Sequence, residues 1–150
     1  MKPLEAQKAL PIEMLRQATA NKLNPNSGTL DYEVGRHTET AEPYLRITTN
    51  SSGGHFSPEW LPITAISACF GDNVQSDTAF SSRVLRGVFQ HGKSTNNASF
   101  LAAVLRQEGL LVAHEKNKFQ HCIQIPPNNW QAHLLGEDSN KKTTVARKKS

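Results

Sequence analysis

The chain has 150 residues, of which 37% are apolar, and a formal net charge of +4 with a pI near 9.2. The length predicts one domain, or one domain with an added element. The apolar share lies below the roughly 45–50% of ordinary globular proteins, so some segments are expected outside the core. No stretch approaches 18 apolar residues and no signal-peptide pattern is present, which argues against a membrane protein and predicts a cytoplasmic one.

The N-terminal segment is predicted to be helical. Leu10, Met14 and Ala18 recur at a spacing of four residues, which indicates one apolar face of a helix over residues 4–23. The Asn-Pro-Asn-Ser-Gly cluster at 24–28 would end this helix, because proline and glycine interrupt helical structure.

Two runs that alternate between apolar and polar residues follow at 30–34 and 44–49. A period of two predicts strands, which we expect to pair as an antiparallel hairpin with a loop of about seven to nine residues. Residues 51–54, Ser-Ser-Gly-Gly, then form a joint whose backbone N–H groups could hold an anion. The joint has neither the lysine nor the spacing of a phosphate-binding P-loop.

Three helices are predicted from residue 62 onward. The first covers residues 62–70, and the second carries an apolar stripe and ends near Gly92. That stripe consists of Phe80, Val84, Leu85 and Val88. The third helix begins within residues 94–97, where several capping residues stand in a row.

The third helix has two contrasting faces. Its apolar stripe is Phe100, Leu101, Val104 and Leu105. The opposite face is small, polar and singly basic, with Thr95, Ser99, Ala102, Ala103 and Arg106. It contains no acidic residue, which favours an exposed face that receives a partner. Hydroxyl groups can reach base edges or phosphates, and arginine can pair with guanine.

A β-ribbon is predicted after this helix. Residues 110–114 and 119–125 alternate around the charged turn at 115–118. Lys116 and Lys118 at its tip suit phosphate contact, although they could equally keep the loop soluble. Residues 130–135 are expected to form a short helical turn laid on the domain, followed by a disordered basic tail.

The element order over residues 77–125 resembles that of the winged helix-turn-helix superfamily. The expected fold is therefore α+β, with a winged helix-turn-helix domain at 55–135. A helix and β-hairpin extension would occupy 1–54, and the disordered tail 136–150. The resemblance implies that the second helix of the motif lies in the major groove of DNA while the hairpin contacts the backbone.

The function expected from this resemblance is non-enzymatic DNA binding by a transcriptional regulator or accessory factor. Double-stranded DNA would be the partner, with a homodimer possible because two half-sites increase specificity. The expected DNA-binding residues are Arg83, Arg86, Lys93, Thr95, Asn96, Ser99, Arg106, Lys116 and Lys118. The alternative is a protein–protein interaction module on the same fold.

Catalysis, metal binding and cofactors have no support in the sequence. The six histidines and two cysteines lack the short paired spacings of zinc sites. Cys69 and Cys122 lie among apolar neighbours and are expected to be free, buried thiols. His114 and His121 could pair across the ribbon. No close pair of acidic residues marks a cleft, so we predict no catalytic residue, metal or cofactor.

Overall fold

The computed structural model describes residues 10–54, 56–70, 78–89 and 95–136. The fold is α+β. Its main sheet is antiparallel, with the strand order β1–β2–β3–β4. These strands are β1 (Ile12–Asn21), β2 (Thr29–His37), β3 (Pro43–Asn50) and β4 (Leu61–Pro62).

The hairpin predicted from alternation is confirmed as β2 and β3, but its connection is shorter. Both strands extend beyond the predicted runs, so only residues 38–42 connect them. Gly35 continues β2 although the sequence placed it in the loop. A Cβ atom at this position would lie 2.4 Å from Cγ2 of Ile12, so glycine permits the close approach of β1.

The prediction of an N-terminal helix is wrong over the described part of residues 4–23, which forms β1. The register of β1 on β2 shifts between Met14 and Arg16, and Leu15 has no partner there. Such a bulge changes the face on which the following side chains lie. Because of this shift, the half-buried residues Ile12, Leu15 and Ala18 are three positions apart, a spacing that resembles one face of a helix. Met14, which belonged to the apolar face of the predicted helix, is 44% exposed.

The helix predicted over residues 62–70 is confirmed as α1 (Ile63–Ala68). The helix predicted next is a 3-10 helix, Ser82–Val88, and it begins later than expected. Phe80 cannot join a helix because its backbone N–H and C=O groups both pair with those of His121. The predicted stop at Gly92 lies outside the described residues.

The third predicted helix is confirmed as α2 (Thr95–Gln107). The ribbon after it is also confirmed, as the antiparallel strands β5 (Leu111–Ala113) and β6 (His121–Ile123). The strands are shorter than predicted, and Val112 is exposed where the alternation had placed it beside Leu110 on one face. Gly109, at φ +83°, ends the helix, and β5 begins only at Leu111, so Leu110 lies outside the alternation of the strand.

The C-terminal helical turn is confirmed as α3 (Trp130–Leu134), and Trp130 and Leu134 are fully buried. One hydrophobic core runs from Ala20 in β1 to Leu134, and α2 contacts β1, β2, β5 and the 3-10 helix. None of the described helices is long and apolar enough to cross a membrane. Apart from Gly136, the predicted tail lies outside the described residues.

Candidate functional site

The face of α2 that the sequence predicted to be bare is partly buried. Ala102 is inaccessible and Ala103 is 3% exposed, and both belong to the hydrophobic core. The prediction of an open recognition face is therefore wrong at these two positions. Small side chains allow close packing within the chain as readily as against a partner, and here they bring α2 close to its neighbouring elements.

A groove of about 600 Å³, lined by both polar and apolar side chains, nevertheless lies beside the N-terminal half of α2. Sheet turns, α2 and the ribbon loop all contribute to it. Its lining comprises Lys22, Leu23, Asn24, Ser27, Asn50, Ser52, Gly54, Asn96, Ser99, Phe100 and Phe119. The volume falls within the range of roughly 300–1,000 Å³ of most ligand sites. We call this cavity the α2 groove.

The α2 groove continues toward the C-terminal end of the helix. A second cavity of about 240 Å³ shares Lys22 and Leu23 with it and adds Ala103, Arg106 and Gln107. The two cavities thus follow one side of α2, because residues three or four apart lie on the same helix face. The thirteen residues of α2 give this path a length of about 20 Å.

Of the nine predicted DNA-binding residues, Asn96 and Ser99 line the α2 groove, and Arg106 lines its continuation. Lys118 is exposed and stands 5.9 Å from the ring centroid of Phe119, at the groove's edge. The others are not brought together there. Arg83 and Arg86 are exposed on the 3-10 helix, Lys116 is exposed on the ribbon loop, Thr95 is the first residue of α2, and Lys93 lies outside the described residues.

The electrostatics of the α2 groove are basic. Among the residues that the structure describes, its lining contains one lysine and no carboxylate. The Lys22 ammonium donates to Ser52 Oγ at 2.8 Å and lies 5.1 Å from the centroid of Phe100. Within the described ranges, Lys22, Lys116 and Lys118 form no ion pair, whereas Arg16, Arg36 and Arg46 each pair with a glutamate.

Arg106 holds the ribbon loop. Its Nη2 donates to the carbonyl oxygens of Lys118 and Gln120, the latter at 3.1 Å, and its Nε donates to His121 Nδ1 at 3.0 Å. The sequence predicted that Arg106 would contact a DNA base, but its guanidinium instead makes these three hydrogen bonds within the chain. The two carbonyl contacts lie on either side of Phe119, so the backbone that carries this exposed ring is fixed.

A serine–histidine pair lies beneath the loop, with Ser82 Oγ 2.8 Å from His121 Nε2. Arg106 Nε can only donate, so Nδ1 must accept and the proton of neutral His121 resides on Nε2. That proton points at the serine oxygen, which is the reverse of the arrangement that activates a nucleophile. Burial, with a further contribution from Arg106, lowers the pKa of His121 to about 4.

Glu108 forms a second, partly buried network. Its carboxylate accepts from Arg16 and from the hydroxyl of Tyr32, while its backbone oxygen lies 2.8 Å from His133 Nε2. Burial and this carboxylate raise the pKa of Tyr32 far above its usual value. The network joins β1, β2, the end of α2 and α3, which indicates a structural role.

Cys69 and Cys122 are free, as predicted, and both are half-buried. Burial raises the pKa of the Cys69 thiol, which lowers its reactivity. Across the ranges that the structure describes, no three histidine, cysteine or acidic side chains group closely enough to hold a metal ion.

Comparison with known protein families, curated proteins and solved structures gives no match for this chain.

Proposed function

We propose that this chain is a non-enzymatic nucleic-acid-binding protein and that the α2 groove is its binding site. The observation that carries the proposal is the composition of the groove over the described residues: a lysine, amide and hydroxyl groups and two aromatic rings, without a carboxylate. Lysines attract phosphates, and the uncharged polar groups can hydrogen-bond to phosphate oxygens and bases.

The order of the elements supports a winged-helix architecture for this function. α1, the 3-10 helix, α2 and the β5–β6 ribbon follow one another as in a helix-turn-helix with a wing. Lys116 and Lys118 occupy the wing loop, where they would contact the phosphates of DNA. Arg83 and Arg86 would add further positive charge along the same chain segment.

Replacing Lys22, which lines the α2 groove, and Lys118, at its edge, with glutamine tests the proposal. Each lysine that contacts a phosphate contributes about 0.9 to the log–log salt slope on duplex DNA and about 0.7 on a single strand. We expect the double variant to bind more weakly and to show a slope smaller by roughly 1.4–1.8. The matched control is Arg36→Gln, because Arg36 pairs with Glu13 on the main sheet. Equal slopes for the double variant and the wild type would contradict the proposal.

A protein–protein interaction module is the second candidate, and the ribbon gives it one specific support. Phe119 and Val112 are 49% and 43% exposed, which is unusual for two large apolar side chains on one short hairpin. Association with a protein through apolar burial would change little between about 50 and 200 mM salt, whereas nucleic-acid affinity would fall steeply.

A further inference from the structure

We infer that the ligand of the α2 groove is single-stranded nucleic acid, with an unpaired base stacked on Phe119. This inference rests on the proposed function and specifies its ligand. It comes from the position of α2 in the groove, from the way the chain presents Phe119, and from the ring and ammonium group on the inner wall.

The position of α2 disfavours a duplex. A helix that reads base edges enters a major groove about 12 Å wide, and therefore has to project from the protein. Here Ser99 is half-buried and Ala103 is almost fully buried, while Lys22 and Phe119 line the same path. The helix thus lies at the bottom of a concavity, which admits a single extended strand more readily than a double helix.

The chain presents Phe119 as a fixed platform. The ring is 49% exposed, yet Arg106 binds the carbonyl groups of Lys118 and Gln120 on either side of it. The amide of Phe119 also donates to Asn117 Oδ1 at 3.0 Å. An exposed aromatic ring on a backbone fixed in this way is already ordered for stacking, so less conformational entropy is lost on binding.

The inner wall supplies the complementary groups. Phe100 is half-buried in the groove, with the Lys22 ammonium 5.1 Å from its ring centroid and anchored on Ser52. Proteins that bind single strands combine aromatic platforms for the bases with cations for the backbone. The exposed side chain of Asn96 in the lining offers both a donor and an acceptor, and that of Asn24 adds an amide donor, which suits bases without selecting one.

The test uses the full chain with a fluorescein-labelled oligothymidylate of about 12 nucleotides and a duplex of equal length. We expect the single strand to bind more tightly than the duplex. Phe119→Ala should weaken single-strand binding by about 5- to 150-fold, the usual effect of losing one stacked base. Val112→Ala, which shortens another exposed side chain of the same ribbon, should leave it unchanged.

Phe119→Trp gives an independent readout. This variant should retain its affinity for the single strand, and stacking of a base should quench the fluorescence of the new indole. Trp60 and Trp130 are buried, so their emission should contribute a constant signal. Duplex binding as tight as single-strand binding, or equal affinities for Phe119→Ala and Val112→Ala, would overturn the inference while leaving nucleic-acid binding intact. Absence of binding to both oligonucleotides at low salt would overturn the proposed function as well.

Discussion

Acidification should destabilise this protein through His121. The side chain is fully buried, with Nδ1 accepting from Arg106 and Nε2 donating to Ser82. A second proton would have to enter at Nδ1, where it would displace the Arg106 hydrogen bond and place two positive charges in contact. The folded chain therefore resists protonation of His121, and its pKa falls to about 4.

The sign and size of the effect follow from this lowered pKa. The unfolded chain binds the proton near pH 6.5 and the folded chain near pH 4. The stability that His121 contributes is therefore complete above pH 6.5 and is lost as the pH falls toward 4. Between about pH 7.5 and about pH 5 the loss is about 2 kcal/mol, a substantial part of the roughly 5–15 kcal/mol of a typical domain.

Urea unfolding at several pH values measures this loss, and His121→Gln provides the comparison. Glutamine offers Arg106 a carbonyl acceptor and Ser82 an amide donor but does not titrate in this range. The free energy of unfolding of the wild type should fall by about 2 kcal/mol more than that of the variant over the same interval. Parallel pH profiles for the two proteins would refute the proposed tautomer and its environment.

Two further predictions concern local packing and can be checked by the same unfolding assay. Arg106→Ala should lower the free energy of unfolding by about 1–3 kcal/mol, because two loop carbonyls and a buried histidine lose their donor. It should also increase amide exchange across residues 114–120. Unchanged exchange there would show that Arg106 does not hold the ribbon loop. Gly35→Ala should cost about 1–3 kcal/mol because the new Cβ would meet Ile12 at 2.4 Å. Gly87→Ala, which meets nothing within 4 Å, should be close to neutral, and equal effects of the two glycine substitutions would count against the close approach of β1.

The sequence could predict those helices and strands whose pattern of apolar residues is complete within one continuous segment. Simple alternation gave the β2–β3 hairpin, and an uninterrupted helical stripe gave α2. β1 was predicted as a helix because its bulge at Leu15 breaks the alternation and leaves apolar residues at helical spacing. The 3-10 helix was predicted to start too early because the pairing of Phe80 with His121 links residues 41 positions apart.

The α2 groove was predictable only in part. Asn96 and Ser99 in its lining and Lys118 at its edge were among the predicted site residues, because each lies on α2 or at the tip of the ribbon loop. Lys22 and Phe119 were missed, since the groove is assembled from segments that only the folded chain brings together. The small face of α2 was assigned to a partner although its alanines pack inside the molecule, because composition alone does not distinguish the two kinds of close contact.

The most direct test of the α2 groove as the binding site is an amide ¹H–¹⁵N titration of the whole protein with oligothymidylate. Binding in the groove predicts chemical-shift changes at Asn50, Ser52, Ser99 and Phe119, with little change at Arg36 and Tyr44 on the main sheet. Shift changes that leave the four groove amides unmoved and appear on the sheet instead would contradict this assignment.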